Sequence, residues 1–204
     1  MVNDTKNLVD VILTLAGGVG ALIAFVHTLQ TWKESQRWQR ADKLDKLIEA
    51  FEKDSLLRLA CLVLDWTYRK TEVDGKEFSF ANDDVLLALR LYGDDPGQTQ
   101  EFSPIQAKIR DAYDALLTFF SRLDAALEAG LVDRAPSRRY FIYWLDVLLT
   151  MKHHHDQGRV LGEQTPAQAV TSYIRQYGNP SAIEHLASTL GFKVPAPLLT
   201  PPTR

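Results

Sequence analysis

From Val11 to Val26 the chain carries no charged side chain. With Leu8, Val9 and Leu29 counted in, the apolar window reaches the roughly 20 residues a helix needs to cross the hydrocarbon core of a bilayer. A cleaved signal peptide would want a basic n-region, a shorter apolar core and a small-x-small cleavage site. Here "MVNDTKN" mixes Asp4 with Lys6, and the run passes straight into "HTLQTWKESQRWQRADKL", which is helical in pattern. Residues 1–32 therefore read as a retained transmembrane anchor. The alternative is a helix buried in a soluble core, with Asp10 and His27 at its flanks. Gly17, Gly18 and Gly20 weaken that alternative, because glycine is better tolerated in membrane helices than in soluble ones.

Lys33, Arg37, Arg40, Lys43 and Lys46 follow the span, and Lys6 alone precedes it. The positive-inside rule then places the amino terminus outside and the body in the cytoplasm, a single-pass inner-membrane topology. Trp32 and Trp38 fall where interfacial aromatics are expected. Within the span Ala16, Gly20 and Ala24 recur every fourth residue, as do Gly17 and Ala21. This spacing gathers small residues on one side, where a second helix can approach closely and a homo-oligomer can form; the alternative is the ordinary Gly and Ala richness of membrane helices.

Neither Gly nor Pro interrupts Ala21 to Lys53, and Leu44, Leu47, Ile48 and Phe51 fall at i, i+3, i+4 and i+7. The anchor is thus expected to continue as one helix into a cytoplasmic body spanning 33–192. "DSLLRLACLVLDWTYRK" opens on a capping Asp54 or Ser55 and is apolar nearly all round, with Trp66 expected in the core. Asp74-Gly75 marks the turn of a small β-hairpin near 71–80. A short helix over "NDDVLLALRL" and a loop at "YGDDPGQTQEFSP" come next. Pro104 then starts the strongest amphipathic helix, whose stripe of Ile105, Ile109, Tyr113, Leu116, Phe120, Leu123 and Leu127 stops at Gly130. "PSRRYFIYWLDVLLTM", with Trp144 expected in the core, "PAQAVTSYIRQY" and "PSAIEHLASTL" complete an all-α bundle. Residues 193–204, "KVPAPLLTPPTR", read as a Pro-rich disordered tail.

A hydrophobic content of 46% and a charged content of 24% fit a folded domain, and a net charge of −3 supplies no overall basic field to draw the chain to nucleic acid. The lone Cys61 cannot form an intrachain disulfide and lies in an apolar run, so a buried, unreactive thiol is expected. No Gly-rich phosphate loop, G-x-S-x-G elbow or H-E-x-x-H motif occurs, and no cofactor is expected.

Two clusters invite a chemical reading. His153, His154 and His155 precede Asp156, but consecutive histidines point in different directions, and only His153 and Asp156 have the i, i+3 spacing of helical metal ligands. His153, His155 and Asp156 are the metal candidates, and a solvated loop is the alternative. Asp65, Arg69, Arg110, Asp111 and Asp114 gather acids and arginines on helices, where ion pairs lining the bundle are expected in preference to acid–base work. Ribonucleases on HEPN-type bundles place an Arg four to six residues before a His, and no Arg here has that spacing.

At "RWQRADKLDKLIEAFEKD", "LVLDWTYRK", "IRDAYDALLTFFSRLDAALEAGLV" and "YFIYWLDVLL", the chain resembles a family of uncharacterised bacterial proteins with an amino-terminal membrane helix and a cytoplasmic helical body. In architecture alone it also looks like the HEPN-like membrane protein that accompanies some RNA-guided, RNA-targeting CRISPR effectors. The resemblance implies the topology above. By analogy it implies an oligomeric, non-nucleolytic membrane effector, with pore formation in antiviral defence as its furthest extension. The expected partners are the lipid bilayer, further copies of the chain and a protein encoded nearby. The rival is an enzyme: a degenerate HEPN-like ribonuclease, or a metal-dependent hydrolase using the histidine loop.

Overall fold

The structure is a computed structural model that describes residues 2–73, 75–91, 101–154 and 165–194, with the backbone alone for residues 2–17, 19, 21, 73 and 76. It is mostly helical, with one two-stranded antiparallel sheet. The described chain forms two compact units, residues 1–42 and 43–204.

Helix α1 (Val2–Lys53) holds the whole of the first unit and the start of the second. In the first unit Leu22, Ile23 and Phe25 are 60–64% exposed, and Val26, Leu29, Trp32 and Trp38 are exposed as well. Among the described residues no helix is long and apolar enough to cross a membrane. Most of the uncharged run Val11–Val26 falls on residues of which only the backbone is described.

In the second unit, α1 stops because Asp54 leaves the helical region of backbone space and turns its carboxylate on the next helix. It accepts from the backbone N–H of Leu56 at 2.8 Å and of Leu57 at 3.0 Å, satisfying two donors that a helix start leaves without partners. Helix α2 (Ser55–Asp65) buries Leu57, Leu59, Ala60, Val63 and Leu64. Strands β1 (Tyr68–Val73) and β2 (Lys76–Ala81) pair from Tyr68 opposite Ala81 to Val73 opposite Lys76, and the turn needs Gly75 at φ 75°. Phe80, 1% exposed, ties this hairpin to the core.

Helix α3 (Asn82–Ala88) starts where Asp84 accepts from the Ala81 N–H at 3.0 Å. Helix α4 (Pro104–Glu128) opens on a reciprocal cap: Gln106 N–H donates to Ser103 Oγ at 3.3 Å, and Ser103 N–H donates to Gln106 Oε1 at 3.1 Å. Its stripe of Ile109, Tyr113, Leu116, Phe120 and Leu123 is almost wholly buried, and Gly130 at φ 65° ends it as the sequence predicts. Helices α5 (Arg134–Thr150), α6 (Pro166–Tyr177) and α7 (Pro180–Leu190) complete the body. Helix α4 is central, packing on α2, α3 and α7, while α5 meets α2, α6 and α7.

The core differs from expectation at one tryptophan. Trp66 is 51% exposed, because it caps the end of α2 in an extended conformation, and the Arg69 guanidinium lies 4.9 Å from its ring centre. Trp144 is half-buried against the core, its ring 6.4 Å from that of Phe51. The deepest aromatic packing is instead around Phe51, which meets Phe119 at 4.9 Å and Phe141 at 5.5 Å between ring centres.

Candidate functional site

The break at Asp54 also builds a groove. Arg58, Cys61, Leu62 and Asp65 fall at i, i+3, i+4 and i+7, so α2 presents all four along one face. That face, with Phe51 and Glu52 from the last turn of α1 and Tyr140 and Trp144 one turn apart on α5, lines a cavity of ≈ 290 Å³. Phe51, Leu62, Cys61 and Trp144 make it apolar within. Glu52, Arg58 and Asp65 supply charge. A volume this size sits at the lower end of small-molecule sites and is large enough for one or two protein side chains.

Two tyrosines clamp the two carboxylates. The Tyr140 hydroxyl donates to Glu52, and the Tyr143 hydroxyl donates to Asp65. Burial, aided by the Glu52 carboxylate, pushes the Tyr140 phenol up to about 12; for Tyr143 the hydrogen bond to Asp65 comes first and burial second, with the same result. The Cys61 thiol is pushed up to about 12 by burial, with Asp65 adding to it. At neutral pH these three groups are protonated, so none is poised as a nucleophile or base. Lys152 stands beside the clamp, 2.6 Å from Asp146 and 4.8 Å from the Tyr143 ring centre.

His153 joins this rim. Its Nε2 lies 3.4 Å from the Tyr143 hydroxyl and 3.9 Å from Asp65. The other two metal candidates, His155 and Asp156, lie outside the described residues. Among the described residues no three His, Cys, Asp or Glu side chains are placed to hold a metal ion.

His154 is not part of a solvated loop, which corrects that expectation. It is 2% exposed, with Nε2 2.7 Å from the Val63 carbonyl and Nδ1 2.6 Å from the Asn82 side-chain amide. Burial lowers its pKa below the usual histidine value. Adjacent histidines face opposite ways here: His153 reaches outward to the rim, and His154 turns inward to the end of α2. The divergence is expected of consecutive residues, but a run of identical ones carries no signal for which of them turns inward.

Among the described residues the acid–arginine cluster does not assemble into the expected ion pairs. Arg110 donates to the carbonyls of Ala88 at 3.0 Å and Arg90 at 3.1 Å, and its guanidinium lies 4.5–5.3 Å from the ring centres of Phe102, Tyr173 and Tyr177. Asp114 accepts from the Tyr173 hydroxyl at 2.5 Å, and Asp111 is exposed. Arginine here stacks and cross-links the backbone. One acid–histidine pair was not foreseen: Asp124, 6% exposed on α4, meets His185 Nδ1 of α7 at 2.7 Å.

In the first unit the side chains of Ala16, Gly17 and Ala21, expected to form a helix-packing face, lie outside the description, while Ala24 is exposed. Among the described residues a methyl group added at Gly20 would meet nothing within 4 Å beyond its chain neighbours and its own helix backbone.

No family model, no curated protein and no solved structure matches the chain.

Proposed function

We propose that this chain is a single-pass membrane protein whose cytoplasmic helical body serves as an interaction or effector module and assembles with further copies of itself. The observation that carries the reading is the exposure of large apolar side chains on the first unit. Leu22, Ile23, Phe25, Val26 and Leu29 are all 40–64% exposed, and they continue an uncharged run that begins at Val11. An apolar surface that is not packed in a core marks a membrane or partner contact. The run's length favours a bilayer. Lys33, Arg37, Arg40, Lys43 and Lys46 support an orientation with the body inside.

The groove on the body supports binding over catalysis. It combines apolar walls with a charged rim, and its thiol and phenols are held in their protonated forms at neutral pH. Reporter fusions after Arg204 test the topology. Green fluorescent protein placed there is expected to fluoresce and alkaline phosphatase to stay inactive. An active phosphatase would overturn the orientation.

A further inference from the structure

The apolar and basic parts of the first unit share one line along α1. Leu22, Val26, Leu29, Lys33 and Arg37 follow at i, i+4, i+7, i+11 and i+15, all within about a sixth of a turn of Lys33 at 3.6 residues per turn. All five side chains are exposed. Glu34, one residue beyond Lys33, is turned about 100° away from this line. Trp32, 58% exposed, stands at the level of the junction but is turned about 100° from Lys33, on the side opposite Glu34. A helix face that passes from aliphatic to basic within one turn, with an indole at the same level on the adjoining face, matches the layering of a bilayer leaflet. Aliphatic groups meet acyl chains, the indole meets the carbonyl zone, and long cationic side chains reach back to phosphates.

The geometry points to Lys33 and Arg37 as a binding surface for anionic phospholipid headgroups, engaged at the membrane from which the body emerges. This rests on the anchored reading and goes beyond it, since a neutral bilayer would satisfy the anchor alone. The charge of the pair is complementary to an anionic leaflet, where each Lys or Arg near the surface strengthens attraction by about fivefold.

The test reconstitutes the full chain into nanodiscs of phosphatidylcholine alone and of phosphatidylcholine mixed with phosphatidylglycerol. Recovery in the disc fraction reads anchoring, and native mass spectrometry of lipids retained after detergent release reads headgroup preference. Wild type is expected in both kinds of disc and to retain phosphatidylglycerol over phosphatidylcholine. The Lys33→Gln, Arg37→Gln double variant is expected to stay in the discs and lose that preference on the order of tenfold or more. Wild type that enters both discs but retains the two lipids equally would overturn the inference, leave the anchor standing and return the bases to another occupant such as an acidic protein face. Recovery only on the anionic discs would support headgroup binding and overturn the anchor. Recovery on neither would overturn both.

Discussion

The Nε2 of His154 lies 2.7 Å from the carbonyl oxygen of Val63, joining the turn after α5 to the last turn of α2 across 91 residues of sequence. A carbonyl only accepts, so Nε2 carries a proton there, and Nδ1 of the neutral ring is then an acceptor that the Asn82 side chain, 2.6 Å away, meets with its amide turned to present the N–H₂. Burial holds the folded-state pKa of this histidine below its ordinary 6.5. The unfolded chain therefore binds the proton more readily. The contribution to stability is complete above pH 6.5 and is lost as pH falls from there through the lowered folded value. Urea unfolding followed from pH 8 to pH 5 is expected to show a falling midpoint below 6.5, and His154→Gln is expected to flatten that fall while lowering stability throughout. An unchanged slope in the variant would mean that other groups set the acid response.

Cys61 lines the groove and is still expected to react slowly. With its pKa pushed from 9.0 to about 12, its thiolate fraction at neutral pH drops on the order of a thousandfold. Alkylation of the native chain by iodoacetamide at pH 7 should lag the urea-unfolded chain by a comparable factor. Equal rates would mean that the thiol is free of Asp65 and of its apolar cover.

Aromatic packing around Phe51 sets which substitutions the body tolerates. Phe141 is fully buried against Phe51, Phe119 and Tyr140, so Phe141→Ala is expected to cost about 3–5 kcal/mol, enough to unfold a domain of ordinary stability. Trp66→Ala removes an exposed ring and its Arg69 contact, and is expected to cost about 1 kcal/mol or less. Thermal melts of both variants check the ranking, and a reversal would show that Trp66, and not Phe141, belongs to the core.

Gly20→Leu separates assembly from folding. Among the described residues a Cβ at Gly20 meets nothing within 4 Å beyond its chain neighbours and its own helix backbone, so no clash is seen at the point where the new side chain begins. Weaker self-association in detergent, with membrane insertion retained, is the expected outcome, because leucine holds neighbouring backbones apart. Unchanged oligomer size would remove Ala16, Gly20 and Ala24 from the assembly face.

The helices were legible, and so were those ends that carry a local signal of their own. Ser103 with Gln106, Asp54 ahead of an apolar run, and Gly130 after one are chemical instructions written within four residues. The groove was not legible as a site. Its α2 face of Arg58, Cys61, Leu62 and Asp65 is a helical repeat, but Tyr140, Tyr143 and Trp144 reach it from some 80 residues away. Nothing in the local pattern announces that pairing. Trp66 misled for a related reason: residue type suggests burial, whereas the cap position that exposes it depends on where the helix stops.

Anchoring is the claim on which orientation and assembly within the membrane both depend, and membranes washed with alkaline carbonate test it most directly. The full chain is expected to remain in the pellet with integral proteins, and a variant carrying Ile23→Asp and Phe25→Asp within the exposed apolar run is expected to shift to the supernatant. Complete release of the wild-type chain by carbonate would contradict the account.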